Sequence, residues 1–215
     1  MRWSFSDIAD AVHAGLRARA HQDDLEQTVY GFDTLDELRL HPIIQQGLRE
    51  AGYGVWPEQR YPGDRQRDKR SEGKRCDIVL TPPPDALPLR DPLIKGTLFD
   101  DQPACDAEAA YWLEIKTVAQ HETGGPFARY SAELLAPVAE DVRKLWTDSG
   151  VYHGGLLIVL FTQSQTYAEH DLAVWHERCI QKGYPVGPPA LRGFPITDRI
   201  GNAWCQVGMF GVRGV

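Results

Sequence analysis

An uninterrupted apolar run, GGLLIVLFT at positions 154–162, sets the first limit on the fold. A short run of this kind that ends in a turn signal is typical of a strand buried on both faces of a sheet. The amphipathic stretch 131–150 predicts a helix before it, and AAYWLEIKTVA at 109–119 predicts an earlier strand. A strand, a helix and a strand in succession predict a parallel crossover, and therefore an α/β fold.

The segments upstream of this unit predict an antiparallel hairpin. Residues 53–61 and 75–81 are rich in aromatic and β-branched side chains, and a polar, basic stretch lies between them. Because the hairpin is antiparallel and the later crossover is parallel, the chain is expected to form a mixed sheet with helices packed against it.

Helices are expected before and after these strands. Residues 6–20 and 168–183 have apolar side chains at helical spacing. Another helix is expected to begin at Thr34, because TLDE has the pattern of a capping box with Glu37 at its third position. The last strand is expected near 203–212, so the predicted order is α-α-β-β-β-α-β-α-β.

The domain organisation follows from the same patterns. We expect an N-terminal helical extension at 1–33 and an α/β domain at 34–215. The proline-rich stretch 81–92 cannot form regular structure, because proline lacks a backbone donor and fixes its own φ. It opens an insertion at about 82–108, and a second stretch rich in proline and glycine, 184–195, is expected to be a loop.

Composition excludes some classes of function. A formal net charge of −7 argues against a protein that coats nucleic acid non-specifically, but not against an enzyme with a local basic patch. No apolar run approaches the roughly 20 residues of a membrane helix, and the N-terminus lacks the apolar region of a signal peptide. The four cysteines lie far apart without a C-x-x-C pattern, so reduced thiols and a cytoplasmic location are expected rather than a zinc site.

Two opposite charges lie on one side of the strand at 109–119. Because strand side chains alternate between faces, Glu114 and Lys116 share a face, and such charges are costly there unless paired or used. If the strand at 75–81 is a neighbour, Asp77 and Glu114 converge into an oxygen site suited to Mg²⁺. The lysine can then assist an attacking water or neutralise a phosphoryl oxygen. The alternative is a cross-strand ion pair on the sheet surface.

Asp77 in one strand, followed by Glu114-Ile115-Lys116 on the next, resembles the PD-(D/E)xK nuclease superfamily, although a cysteine precedes the aspartate instead of proline. The resemblance covers roughly residues 34–162. It implies a restriction-endonuclease-like fold, with a central mixed sheet flanked by helices and an αβββαβ core. It also implies Asp77 and Glu114 as metal-binding and catalytic carboxylates, Ile115 as a metal-contacting position and Lys116 as the catalytic lysine. Mg²⁺ is the implied cofactor, and Mn²⁺ is expected to substitute for it.

Many members of the superfamily add an acid from the first core helix. Glu37 matches that position best and is a candidate both for metal binding and for catalysis; the capping box is an equally good explanation for it. Glu58, on the first strand, is the second candidate, and an exposed edge residue is its alternative. Lys144, in EDVRKLW, and Gln120, just after a strand, are candidate substrate-binding residues, although a solvated helix face and an ordinary strand end explain them as well.

The basic stretch between the hairpin strands is the remaining candidate for substrate binding. From Arg60 to Arg75 it holds seven basic residues against three acidic ones, and it would follow the nucleic-acid backbone. A solvated hairpin loop is the alternative explanation. The candidates in this stretch are Arg65, Arg67, Lys69, Arg70, Lys74 and Arg75.

The expected activity is divalent-metal-dependent hydrolysis of phosphodiester bonds in nucleic acid, with DNA as the substrate. Two alternatives stay open: an inactive nuclease-fold module that binds DNA or a partner protein, and an RNase on the same fold. A homodimer would suit cleavage of both DNA strands, and no membrane partner is expected. The seven histidines form no H-x-x-x-H or H-E-x-x-H pattern, and His41 is expected to be a hydrogen-bonded helix residue rather than a ligand.

Overall fold

A computed structural model gives the fold, and it describes residues 3–64, 73–84, 86–90, 102–135 and 137–213. The helices are α1 (Phe5–Leu25), α2 (Glu37–Glu50), α3 (Tyr130–Leu135), α4 (Pro137–Thr147) and α5 (Gln165–Gln181). The strands are β1 (Gly54–Arg60), β2 (Arg75–Thr81), β3 (Tyr111–Ala119), β4 (His121–Glu122), β5 (Gly125–Pro126), β6 (His153–Thr162), β7 (Pro189–Pro195) and β8 (Trp204–Arg213).

A mixed six-stranded sheet forms the centre of the molecule. Its strand order is β1-β2-β3-β6-β8-β7, while β4 and β5 form a separate short hairpin. Strands β3 and β6 are parallel, and the other neighbouring pairs of the large sheet are antiparallel. The α/β class, the early hairpin and the parallel crossover are therefore confirmed.

Helices cover both faces of this sheet. One hydrophobic cluster joins α1 and α2 to alternate residues of the central strands, such as Leu113 and Val159. The other joins α4 and α5 to the intervening residues, such as Trp112 and Ile158. Strand β6 supplies buried side chains to both clusters, which confirms that its apolar run is covered on both faces.

The register between β2 and β3 positions the candidate site. Their pairing runs from Leu80–Tyr111 to Ile78–Leu113 and is not continued beyond that pair. One further step of the register would set Asp77 opposite Glu114. The two acids therefore lie just beyond the last regular pair of these strands.

Strand alternation is also interrupted at this point. Cys76 packs in the same cluster as Val79, whereas Ile78 and Leu80 pack in the cluster on the other face of the sheet. Strict alternation would place Cys76 with Ile78. The alternation of side chains is therefore broken at Asp77, between Cys76 and Ile78. Asp77 is not part of a regular ladder of backbone hydrogen bonds.

The start of α2 differs from the prediction. Its N-cap is Asp36, whose side chain accepts a hydrogen bond from the Arg39 amide at 2.9 Å. Thr34 instead ends a 3₁₀ turn and donates its hydroxyl to the Gly31 carbonyl. The capping box at Thr34 is therefore wrong, and Glu37 is the first helical residue rather than the third.

One other segment also differs. The stretch expected to be a loop contains β7, which lies at the edge of the sheet beside β8. An edge strand tolerates its terminal prolines, because a missing amide donor costs little on the side that faces away from the sheet. In the stretch 131–150, which was expected to be helical, the described helical residues are those of α3 and α4. Among the described residues, no helix is both long and apolar enough to cross a bilayer.

Candidate active site

A hydrogen bond between β2 and β3 joins the two halves of the predicted motif. The amide of Ile115 donates to Oδ2 of Asp77 at 2.7 Å. Because the bond uses the amide between Glu114 and Lys116, it holds the aspartate against the E-x-K segment. This hydrogen bond brings together two residues that are 38 positions apart in the chain.

Glu114 lies in the interior of this site. It is only 1% exposed, and the Tyr61 hydroxyl donates to its Oε1. The ammonium of Lys144 lies 3.7 Å from the same oxygen. Burial raises the pKa of Glu114 well above its ordinary value, and the negative charge of Asp77 raises it further, while Lys144 and Tyr61 act in the opposite direction.

A second acid, Asp141 on α4, completes the surroundings of Lys144. Lys144 Nζ donates to Asp141 Oδ1 at 2.7 Å. Burial alone would lower the pKa of Lys144, but the charges of Glu114, Asp141 and Asp77 raise it above its ordinary value. Burial raises the pKa of Asp141, and the nearby charges of Asp77 and Glu37 add to this effect. Lys144 thus places a positive charge next to the acids Glu114 and Asp141.

Glu37 faces β3 from the first turn of α2. Its Oε2 accepts a hydrogen bond from the Thr117 amide at 3.0 Å and lies 3.3 Å from Nζ of Lys116. The ammonium of Lys116 is therefore paired with Glu37, while the ammonium near Glu114 is that of Lys144. Glu37 is brought to the E-x-K segment, as the resemblance implied for the helix acid.

The charges of these six side chains favour a divalent cation. Four carboxylates and two ammonium groups leave an excess of two negative charges when all are ionised: Glu37, Asp77, Glu114, Asp141, Lys116 and Lys144. Carboxylate oxygens are the ligands that Mg²⁺ prefers. Burial and the charge of Asp77 raise the pKa of Glu114, although Lys144 acts in the opposite direction. This excess of negative charge favours a cation near these acids.

A cleft opens beside Glu37. It has a volume of about 350 Å³ and lies between the start of α2 and the end of β3. Its lining includes Glu37 and Thr117 together with the acids Asp33, Asp36, Glu122 and Glu133. An acidic lining repels a phosphodiester backbone, so a nucleic acid here requires bound cations or nearby lysines to supply positive charge.

A second group of possible ligands also includes Asp77. A ring nitrogen of His41 and one carboxylate oxygen each from Glu58 and Asp77 all lie within 4.8 Å of one another. His41 is buried on α2, Asp77 is half-buried, and Glu58 is exposed on β1. These three side chains can hold a metal ion. Within the described part of the chain, Nε2 of His41 has no hydrogen-bond partner, so the expectation of a hydrogen-bonded helix histidine is wrong for this atom.

The candidate substrate-binding residues are dispersed. Arg65, Arg67, Lys69 and Arg70 lie outside the described residues. Lys74 Nζ lies 3.8 Å from Glu140 on α4, and the Arg75 guanidinium donates to the Glu58 carbonyl at 2.9 Å. Gln120 accepts a hydrogen bond from the Gln163 amide at 2.9 Å, which ties the ends of β3 and β6 together.

Sequence reasoning missed Tyr61 and Asp141. Asp141 lies three residues before Lys144, and this spacing on one helix face could have indicated the pair. Tyr61 follows the end of β1 without any pattern around it, so its contact with Glu114 was not predictable from local sequence.

The site thus consists of two sets of oxygen and nitrogen donors that share Asp77, with two lysines beside them. Its parts come from β1, β2, β3, α2 and α4, and most of them were candidates on sequence grounds alone: Glu37, Glu58, Asp77, Glu114, Lys116 and Lys144.

When the chain is compared with known protein families, with curated proteins and with solved structures, none of them matches it.

Proposed function

We propose that this chain is a divalent-metal-dependent nuclease of the PD-(D/E)xK superfamily that hydrolyses phosphodiester bonds in DNA. The observation that carries the proposal is the hydrogen bond from the Ile115 amide to Asp77, because it joins the aspartate to the E-x-K segment. The order α2-β1-β2-β3-α4-β6, in which the short α3 precedes α4, supports the finer proposal of a restriction-endonuclease-like αβββαβ core.

The residues divide into ligands and positioning groups. Asp77 and Glu114 would hold Mg²⁺ through carboxylate oxygens, with Glu37 and the backbone at Ile115 as further candidates. When bound, the metal supplies an acidified water and polarises a phosphoryl oxygen. Tyr61 orients the Glu114 carboxylate by donating to Oε1, which leaves Oε2 as the oxygen available to a cation.

Lys116 has the role of stabilising charge on the substrate. Its side chain is 17% exposed, so the ammonium lies at the boundary between the protein and solvent. Oε2 of Glu37 lies 3.3 Å from its Nζ and holds the ammonium at this position. An ammonium fixed in this way can neutralise the charge that develops on a phosphoryl oxygen during hydrolysis.

The test is cleavage by the purified protein. Supercoiled plasmid, linear duplex DNA, single-stranded DNA and RNA are incubated with Mg²⁺, with Mn²⁺ and with EDTA. We expect metal-dependent cleavage of DNA, lost on addition of EDTA and reduced at least about 100-fold by Glu114→Gln and by Lys116→Met. Lys182→Met, at an exposed position after α5, is the matched control and should keep full activity. Equal activity in the wild type and both site variants would refute the proposal.

One observation favours a second candidate, an inactive module that binds DNA or a partner protein. Glu114 is almost inaccessible and already contacts Tyr61 and Lys144, as it would in a site used only for structure. The same experiment separates the two functions: DNA that is retained in a mobility shift but never cleaved, with either metal, identifies the module. Cleavage of RNA but not of DNA identifies the third possibility, an RNase.

A further inference from the structure

A ring nitrogen of His41 is the starting point for a second metal site. His41 is 6% exposed, and its Nε2 is buried without a hydrogen-bond partner among the residues that the structure describes. A buried polar atom without a partner is destabilising, because it loses its hydrogen bonds to water and gains none in the protein. A metal ion bound at this nitrogen would supply the missing partner.

Two carboxylates approach the same place from the sheet. Oxygens of Glu58 and Asp77 lie within 4.8 Å of each other and of a ring nitrogen of His41. Bonds of about 2.0–2.2 Å to a common ion place two ligand atoms at most about 4.4 Å apart, so the three side chains must move closer together when they bind one ion. Two negative charges and a neutral imidazole also match the charge of a divalent cation.

The backbone places Glu58 for this role. The β1–β2 register pairs Pro57 with Ile78 and Gln59 with Cys76, so Glu58 lies opposite Asp77, but those two residues are not paired as a regular step. Glu58 has φ 54°, a left-handed conformation that is uncommon for a glutamate. The irregular step brings the carboxylate next to Asp77, and the exposure of Glu58 gives an ion a route from solvent.

Asp77 is held by a neighbouring bond. Its Oδ2 accepts the Ile115 amide, which fixes the orientation of the carboxylate and leaves Oδ1 for another partner. Bonds of this kind, one step away from a metal, orient the ligand and typically change metal affinity by about 10- to 100-fold. The carboxylate of Asp77 is therefore already oriented for metal binding before an ion is bound.

We propose that His41, Glu58 and Asp77 form a binding site for a first-row transition-metal dication, of the class of Mn²⁺, Co²⁺ or Zn²⁺. An imidazole nitrogen among the ligands favours these ions over Mg²⁺, which prefers oxygen alone. Three protein ligands leave coordination positions open to water. The site does not depend on the proposed hydrolysis, although it shares Asp77 with the proposed Mg²⁺ ligands.

The test measures binding directly in tag-free protein stripped of metal with a chelator. CoCl₂, MnCl₂ and MgCl₂ are titrated by calorimetry, and Mn²⁺ bound to the protein is examined by pulsed electron paramagnetic resonance for coupling to a ¹⁴N nucleus. We expect a Co²⁺ and a Mn²⁺ site with nitrogen coupling. Glu58→Gln should weaken Co²⁺ binding at least about tenfold, and His41→Gln should also remove the nitrogen coupling. Because Glu58 is exposed, its variant is expected to fold normally.

Two controls isolate the site. His170→Gln and Glu169→Gln each remove an exposed side chain on α5, and both variants should keep Co²⁺ affinity and nitrogen coupling. Unchanged Co²⁺ affinity in both Glu58→Gln and His41→Gln, or bound Mn²⁺ without nitrogen coupling in the wild type, would overturn the proposal. Absence of DNA cleavage with normal Co²⁺ binding would instead refute only the nuclease.

Discussion

At Glu114, burial and a neighbouring negative charge act in the same direction. Both raise the pKa of this carboxyl, and they outweigh Lys144 and the Tyr61 hydroxyl, which lower it. Ionisation of Glu114 therefore costs free energy in the folded protein. Such a cost is compatible with a site that receives a cation, because the bound charge would offset the repulsion between Glu114 and Asp77.

This cost predicts a pH-dependent difference in stability. Because the folded-state pKa of Glu114 is raised, its contribution to stability is fully present below the unfolded pKa of about 4.3 and is lost as pH rises through the folded pKa. Glu114→Gln has no proton to lose and still accepts from Tyr61. In metal-free buffer we expect the free energy of unfolding of Glu114→Gln, relative to wild type, to increase with pH above this value, by about 1.4 kcal/mol for each unit of pKa shift.

Thermal or urea unfolding across the acidic and neutral range measures this difference. Glu169→Gln, at an exposed position of α5, is the matched control and should track the wild type at every pH. A difference between Glu114→Gln and wild type that stays constant, or that falls as pH rises, would contradict a raised pKa at Glu114.

At the scale of elements, the contact between α1 and α2 positions the helix that carries Glu37 and His41. The two helices approach closely at a pair of glycines. A Cβ added at Gly47 would lie 2.6 Å from the Ala11 carbonyl oxygen, and one at Gly15 would lie 3.0 Å from the Gly47 Cα. Because the neighbouring atoms belong to the backbone, they cannot move aside without shifting a helix.

This contact predicts that Gly47→Ala destabilises the protein. Overpacking costs about 1–3 kcal/mol, while alanine gains up to about 1 kcal/mol over glycine in helix propensity. We expect a net loss of about 1 kcal/mol or more in the free energy of unfolding, measured by chemical denaturation. Gly124→Ala is the control: a Cβ there meets no atom of the described residues within 4 Å, so its effect should stay within about 0.5 kcal/mol. A Gly47→Ala protein as stable as this control would show that the helices are not closely packed.

Elements with a strong local pattern could be predicted from the sequence. The apolar run in β6 and the alternation in β3 indicated the parallel crossover, because periodicity follows directly from burial. Strand β7 was missed because its prolines are typical of a loop, and its place at the sheet edge, where they are tolerated, depends on the tertiary fold. The cap of α2 was misplaced because Thr34 and Asp36 both have cap-forming side chains. Thr34 belongs to the 3₁₀ turn that precedes α2, and this turn leaves Asp36 as the cap.

The same distinction applies to the candidate site. Asp77, Glu114 and Lys116 could be predicted as site residues because each is a charged residue within an apolar strand, which is an unusual position for a charge. Tyr61, Asp141 and His41 could not, because they reach the site from other elements whose approach is set by packing. Lys144 was a candidate for substrate binding, and its ammonium lies beside Glu114.

At the scale of the whole molecule, the acidic net charge must be reconciled with the proposed nucleic-acid substrate. The net charge of −7 repels DNA at long range, and the cleft beside Glu37 is itself acidic. Only a local concentration of positive charge can then attract the phosphate backbone. The stretch from Arg60 to Arg75 is such a concentration, and it lies between β1 and β2, the strands that carry Glu58 and Asp77.

This arrangement predicts that charge position, rather than total charge, controls DNA binding. A variant with glutamine at four positions, Arg65, Arg67, Lys69 and Arg70, should bind duplex DNA more weakly, and its log affinity should depend less steeply on log salt, by up to about 0.9 for each phosphate that is no longer neutralised. The control replaces four exposed basic residues on α1, α2 and at α5 with glutamine and so has the same net charge: Arg17, Arg49, Arg178 and Lys182. Fluorescence anisotropy with Ca²⁺ in place of Mg²⁺, across a salt series, measures both. If the two variants bind DNA with equally reduced affinity and salt dependence, the basic stretch has no specific role and total charge alone governs the encounter with DNA.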